Sequence, residues 1–209
     1  MSDKKEKEVD PSTEEKIKNA ARALFHQKGY SGTRTRDIAE AAGINLALLN
    51  YYFRSKQKLF ELVMIEGLLE FVGSITKVFD DSTTTLEEKI RLLASNYIDM
   101  LSEQPDMPLF VLSELRSHPD TFLSKMNPQE FLMNSSFIKQ YQQSVMEGKI
   151  AAIHPLQFIM NLIGMIVFPF IVSPMIKAIG NLDTADYKVL MQQRKTLIPI
   201  WIEEMMQVK

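Results

Sequence analysis

Wherever this chain carries apolar residues in a regular order it carries them at helical intervals, and that regularity restricts its fold more than any other feature. From position 12 onward apolar side chains recur three and four residues apart. Nowhere do apolar and polar residues alternate between turn signals for long enough to make a strand. A chain that can bury only helical stripes must pack helix against helix, so the expected fold class is all-α.

The punctuation between the stripes divides them into helices. Ile17, Ala20, Ala21, Leu24 and Phe25 share one face of a first helix, which Ser12 and Glu15 open with capping-box spacing and Gly29 closes. A short second helix is expected over residues 35–42, ended by Gly43, and a short third one behind Asn45 as its N-cap. Ser55 caps a fourth that runs to about residue 79. Thr85 and Glu88 repeat the capping spacing before Ile90, Leu93, Ala94, Tyr97 and Leu101. A helix over 108–117 must stop at His118, because the residue before Pro119 is pushed out of the helical region. Asn127 as cap and Pro128 in the first turn open the next, which ends near Gly148. Pro155 opens a very apolar segment to residue 178, and Asp183 caps a last helix. On that helix Tyr187, Leu190, Met191, Arg194, Ile198, Trp201, Ile202 and Met205 share a face.

Composition removes several classes of chemistry. The 209 residues include no Cys, so a disulfide framework, a Cys nucleophile and a Cys-ligated zinc are all closed to it. His26, His118 and His154 are too widely spaced for a histidine metal site to be expected, and no metal or cofactor is expected. Gly-rich phosphate loops, Gly-x-Ser-x-Gly and His-Glu-x-x-His are absent, so an enzyme is not expected. Residues 1–10 are a mixed-charge polar run read as a disordered tail, without the apolar core of a signal peptide; the expected location is the cytoplasm.

The formal net charge of −2 hides an uneven distribution. Residues 13–58 hold nine Lys/Arg against four acids, whereas residues 59–209 hold 12 against 18. This is the pattern of a small basic module that meets a polyanion, joined to a larger acidic module that does not.

Within the basic module, residues 33–45 have the grammar of a helix-turn-helix. Two helices crossing steeply within a few residues need a small side chain at the crossing and a turn residue that tolerates positive φ. Ala39 and Gly43, four apart, supply them. Ile38, Ile44 and Leu49 would pin the pair to the first helix, freeing the third to enter the major groove of double-stranded DNA.

The ordered string Leu24-Phe25, Lys28-Gly29-Tyr30, Gly32-Thr33, Asp37-Ile38-Ala39, Ala42-Gly43-Ile44, Leu49, Tyr51-Tyr52-Phe53, Ser55-Lys56 and Leu59 resembles the TetR (tetracycline-repressor-like) family of transcriptional regulators. The likeness covers about 50 residues; the remainder matches in length and helicity alone. It implies a homodimer of about nine helices per chain, whose paired helix-turn-helix units bind a palindromic operator and are released by a small-molecule effector. The expected division is a tail at 1–10, a DNA-binding domain at 11–56 and a ligand-binding and dimerisation domain at 57–209.

The roles follow residue by residue. Arg36 falls where the family often places a base-contacting residue, and its fork suits guanine; a phosphate contact or a solvated arginine is the alternative. Thr35 and Lys56 sit at helix N-termini, where amides already favour phosphate. Tyr51 and Tyr52 fall at positions that in the family contact the backbone or support the third helix, and Tyr52 has a core alternative. Arg34 adds general attraction or is plain surface. The family commonly has Ser, a polar or small residue, a small residue and Ser or Thr at positions 45–48, and Tyr at 50. Here stand Asn45, Leu46, Ala47, Leu48 and Asn50. Leu46 and Ala47 suit a thymine methyl, and Asn50 suits adenine N6 and N7, so direct readout is expected of Arg36 and Asn50, with Asn45 as a further candidate.

The body carries two further expectations. The apolar segment at 155–178 invites a membrane reading, but its uninterrupted part, 162–172, falls short of the about 20 residues a span needs, and Pro169 and Pro174 interrupt it. With the last helix it is expected to form a dimer interface through Ile159, Ile163, Val167, Phe170, Leu190, Arg194, Ile198, Trp201 and Ile202. Packing within the chain, or a membrane-associated helix-turn-helix protein anchored by this segment, are the alternatives. The middle of the chain is rich in Met and Phe, which line adaptable cavities. A hydrophobic or amphipathic effector is expected against Met100, Phe110, Phe122, Met126, Phe137 and Met165, oriented by Glu114, His118, Asn134 and Asn161. For Glu114 and His118, four apart, a surface pair is the alternative.

Overall fold

The structure is a computed structural model that describes residues 11–207, so the expected tail at 1–10 lies outside the described residues. Among these, twelve helices and no strand occur: α1 Pro11–Gly32, α2 Thr35–Ala41, α3 Leu46–Phe53, α4 Lys56–Asp80, α5 Leu86–Glu103, α6 Met107–Ser117, α7 Pro119–Met126, α8 Pro128–Met133, α9 Ser136–Met146, α10 Pro155–Ile171, α11 Ser173–Gly180 and α12 Thr184–Gln207. The excess over about nine has local causes. Pro119, pre-set for a first helical turn, starts α7 directly behind the break at His118. Ser135 interrupts the expected helix over 128–147 by capping α9 through the Ile138 N–H. The apolar segment bends by 71° between α10 and α11, because Pro174 has no N–H to continue the ladder. Asn127 differs from its expected role. It is left-handed (φ 39°) at the end of α7 and makes no side-chain cap on α8.

The chain divides into two compact units at Leu68/Leu69 rather than at 56/57, because the first half of α4 supplies the core of the first unit. In that unit, Ile17, Ala21 and Phe25 of α1, Ile38 and Ala39 of α2, Leu49 and Phe53 of α3, and Leu59, Phe60 and Val63 of α4 are buried together. Phe60 stands edge-on to Phe25 at 5.1 Å and tilted against Tyr30 at 4.8 Å. Lys18 pins α1 to α4 through Glu66 at 2.8 Å, with Glu15 as a second partner, and Arg22 reaches the same Glu66 at 3.3 Å. Hydrogen bonds from its ammonium to Glu15 and Glu66 raise the Lys18 pKa above the ordinary lysine value, against the opposing effect of burial.

In the second unit α5 is the central helix, packed by α12 on one side and α10 on the other. Thr85 and Glu88 form the expected capping box at its start. Behind it Lys89 is fully buried, its Nζ donating to the Thr84 carbonyl at 2.9 Å, to Thr84 Oγ1 at 2.6 Å and to the Asp81 carbonyl. Desolvation lowers the pKa of this ammonium, and three acceptors keep it tolerable. Phe79, Phe137, Tyr141 and Phe158 form an aromatic core, with Phe79 stacked on Phe137 at 4.5 Å.

A proline inside a helix shows how α10 and α12 are joined. Pro169 cannot donate to the Met165 carbonyl one turn earlier, and Arg194 Nη2 of α12 donates to that carbonyl instead, at 2.7 Å. Tyr187 donates its hydroxyl to the Pro169 carbonyl at 2.8 Å, next to the end of the helix.

Candidate nucleic-acid interface

The α2–α3 unit is built by its turn. Ala42 ends α2, and Gly43 follows at φ 68°. The Gly43 N–H donates to the Glu40 carbonyl and the Ile44 N–H to the Ala39 carbonyl, both at 3.0 Å, which is a Schellman motif. No atom lies within 4 Å of where a Cβ on Gly43 would stand, so the glycine answers to backbone angle and not to space. Asn45 then caps α3, its Oδ1 accepting from the Leu48 N–H at 2.8 Å. Upstream, Gly29 breaks α1 at φ 68°, ψ 174°, a region essentially reserved for glycine. The chain between α1 and α2 is held by two side chains. Thr33, buried, donates to the carbonyls of Leu24 (3.1 Å) and Gly29 (2.8 Å). Lys56 donates to those of Tyr30 (2.8 Å) and Thr33 (3.1 Å), with Nζ 4.0 Å from the centre of the Tyr30 ring.

This scaffold leaves one surface outward. Arg34, Arg36, Ala47 and Asn50 are exposed, Thr35, Leu46 and Tyr52 are half-buried, and Tyr51 is exposed and edge-on to Tyr52 at 5.7 Å. The side chains of Arg34, Arg36 and Asn50 make no hydrogen bond or ion pair among the described residues. Lys28 and Asp37 lie 3.7 Å apart behind them. Asn45 and Lys56 stand apart from the rest of the expected contact set, since their polar atoms are used to shape the site. Thr33 had no role assigned, although a threonine just after a Gly-x-x-Gly break, and before a helix start, is a sequence signal for such a clamp. Asn50 and Tyr51 stand on an exposed polar and aromatic helix face, with Arg36 exposed on the helix before it and Arg34 at that helix's N-cap.

Residues 17–63 match the family described as bacterial regulatory proteins, tetR family. A probable helix-turn-helix transcriptional regulator of Bacillus subtilis, YttP, is 28% identical over 199 residues, covering 91% of this chain and 92% of that protein. The negative transcriptional regulator IcaR of the biofilm operon icaADBC in Staphylococcus aureus is 27% identical over 137 residues, 65% of this chain and 71% of that protein. Residues 17–63 are a TetR-family amino-terminal domain. The fold is also that of a solved structure of FadR from Bacillus subtilis in complex with stearoyl-CoA, with a TM-score of 0.53 at 18% identity, over 88% of this chain and 96% of that one.

The body of the chain disperses the expected effector contacts. Met100, Phe110, Phe122 and Phe137 are buried in helix packing, and Phe137 belongs to the aromatic core. His118 and Glu114 form a surface pair at 3.8 Å, with the imidazole largely in solvent. Asn161 is exposed and its amide reaches Met205 Sδ at 3.1 Å; Met165 lies beside the Arg194 contact. Met126 and Asn134 line one cavity, of about 390 Å³, with Val72, Thr76, Asp80, Asn127 and Ser135.

The expected dimer residues separate by helix face. Phe170, Ile198 and Ile202 are corrected to intrachain core: Phe170 stands edge-on to Tyr187, and Ile198 and Ile202 are fully buried. A one-letter stripe on α12 spans both faces, and α5 takes the one that carries Tyr187, Met191, Ile198, Ile202 and Met206. Ile159, Ile163 and Val167 line an open apolar groove on α10 together with Met160, Phe168 and Ile171. Leu190 and Trp201 stay exposed on α12, and Arg194 bridges the helices with its guanidinium 5.2 Å from the centre of the Trp201 ring. Among the described residues no single helix is long and apolar enough to cross a membrane.

Proposed function

We propose that this regulator is a cytoplasmic repressor that grips a palindromic DNA operator as a homodimer and releases it when a small amphipathic effector occupies its body. The observation that carries the reading is the outward surface of α2 and α3, where arginines, Asn50 and Tyr51 stand exposed on a turn built to hold two helices crossed. Residues 11–56 read DNA: Arg36 and Asn50 read base edges, Ala47 and Leu46 meet thymine methyls, and Arg34, Thr35, Tyr51 and Tyr52 hold phosphates. Asn45 and Lys56 support that surface from behind. Residues 57–209 sense and dimerise.

The dimer reading rests on the uncovered apolar faces of α10 and α12. Phe168, 58% exposed, and Met160, 57%, line one open apolar groove with Ile159, Ile163 and Val167, the kind of surface a soluble monomer rarely leaves open, and Trp201 of α12 is 40% exposed. On its other face α10 buries Phe158, Leu162 and Ile166 completely, which favours a protein interface over a lipid anchor. The effector reading rests on the cavity at Met126 and Asn134, apolar on one side and polar on the other, and gains support from the neighbour solved with stearoyl-CoA. Because α4 is one helix from Lys56 to Asp80, its last turns lining that cavity and its first turns in the head's core, it is the element through which occupancy alters the spacing of the two recognition helices.

Selection of bound DNA from a random library tests the reading. A two-fold symmetric motif with half-sites about one turn of DNA apart is the expected result, and an unsymmetrical motif overturns the dimer. The chain has no Cys, so Ala41→Cys introduces a single site for a spin label on the exposed side of α2. The interspin distance on operator DNA must change when an effector releases it; an unchanged distance and mobility refute the release mechanism.

A further inference from the structure

A crevice of about 210 Å³ opens where the end of α5, the start of α11 and the start of α12 meet, and it shares no residue with the cavity at Met126 and Asn134. Its floor is apolar, made by Leu101, Phe170, Tyr187 and Met191, all buried. Its rim is made by two hydroxyl–lysine pairs at one-turn spacing: Ser173 with Lys177 on α11, and Thr184 with Lys188 on α12. Ser102 of α5 adds a third hydroxyl. The pairs meet across the gap, since Lys177 Nζ lies 3.3 Å from Thr184 Oγ1 and 5.2 Å from the centre of the Tyr187 ring.

The charge of the crevice is unbalanced. No carboxylate lines it, and among the described residues neither Lys177 nor Lys188 has an ion-pair partner. Asp183, just before α12, is turned to the helix itself, its Oδ1 accepting from the Asp186 N–H at 2.8 Å. Two ammonium groups and three hydroxyls above an apolar floor match a negative group attached to an apolar body. The volume is below the 300–1,000 Å³ or so of sites for drug-sized ligands, which selects a small body. An edge-on pair of rings, Phe170 and Tyr187 with centres 6.4 Å apart, offers it flat contact.

We propose that this crevice is a second ligand site, for a small aryl or short-chain monocarboxylate, distinct from the effector cavity. The carboxylate is held by Lys177 and Lys188, and the hydrocarbon lies on Phe170, Tyr187 and Met191. A ligand seated there ties α11 to α12.

Calorimetric titration of the full chain with benzoate and hexanoate, and with benzylamine as the oppositely charged probe, tests this. Saturable binding of a carboxylate and none of benzylamine is expected. Lys177→Gln with Lys188→Gln should weaken binding at least about tenfold, because charge-assisted hydrogen bonds are lost. Ser102→Phe, which fills the crevice, should do the same, while Asn134→Ala in the other cavity leaves it unchanged. If the double variant does not fold, as read by its melting curve, Lys188→Gln alone, at an exposed position, must still weaken binding. Absence of saturable binding by both carboxylates overturns the proposal, as does binding that survives the lysine changes or is lost in Asn134→Ala.

Discussion

Two helices of this protein leave a face uncovered, α3 in the head and α10 in the body, and the chemistry of the two faces is opposite. On α3 the inner residues Leu49 and Phe53 are buried and the outer ones are Ala47, Asn50 and Tyr51, a surface content in water and equipped for hydrogen bonding. On α10 the inner residues Phe158, Leu162 and Ile166 are buried, and the outer ones, Met160, Phe168 and their neighbours, are as apolar as the core. A helix apolar on nearly all sides requires cover on nearly all sides, whereas a polar face stays open until a polar partner arrives. The first asks for another copy of a protein surface, the second for a groove of hydrogen-bonding edges.

The comparison breaks most sharply at α10. Phe168→Asp puts a charge into the face proposed for dimerisation, with a penalty of several kcal/mol per uncompensated ion. Sedimentation should show monomers, and operator affinity should fall about 100-fold or more through lost bivalency. A variant that remains dimeric would show that this face is not the interface.

Inner and outer faces should separate next in thermal melts. Ile198→Ala, in the α5–α12 core, should cost about 2 to 5 kcal/mol of folding stability. Ile163→Ala, on the open face, should leave the melting of a monomeric variant such as Phe168→Asp nearly unchanged. Equal losses would mean that α10 has no open side.

In the head, Asn50→Ala should cost about 1 to 3 kcal/mol of operator binding and relax one base position. Equal losses on operator and random DNA would reduce Asn50 to a phosphate contact. Gly43→Ala meets no steric block and should still cost about 1 to 2 kcal/mol, because the left-handed angle alone penalises a Cβ. An unchanged melting temperature would show that the turn relaxes to negative φ. The smallest expected effect is that of Thr85→Ala, about 1 kcal/mol from loss of the capping box on α5. It should leave DNA binding untouched.

Local rules made much of the head legible. Capping, glycine angles and three-and-four spacing act within a few residues, so α1 to α4, the Gly43 turn and the Asn45 cap follow from sequence. The same rules placed the boundaries at Pro119, Pro155 and Asp183. They did not separate α10 from α11, because an apolar run reads alike on both sides of a bend until the neighbours of Pro174 are known. Nor did they anticipate that Lys56 shapes the reading surface from behind, its ammonium spent on the Tyr30 and Thr33 carbonyls.

What the sequence determined by itself is therefore the helical class, the basic module and its turn, and the resemblance of that module to the TetR family, since all of these rest on residue type and near spacing. Tertiary structure alone decided which side of each apolar helix is covered. Ile198 and Trp201 are equally apolar in sequence, yet α5 buries one and leaves the other outside. It also decided that Arg194 answers the Met165 carbonyl freed by Pro169, and that two lysines from separate helices face one crevice. Such pairings join residues many positions apart, and burial is a property of the packed neighbours rather than of the residue.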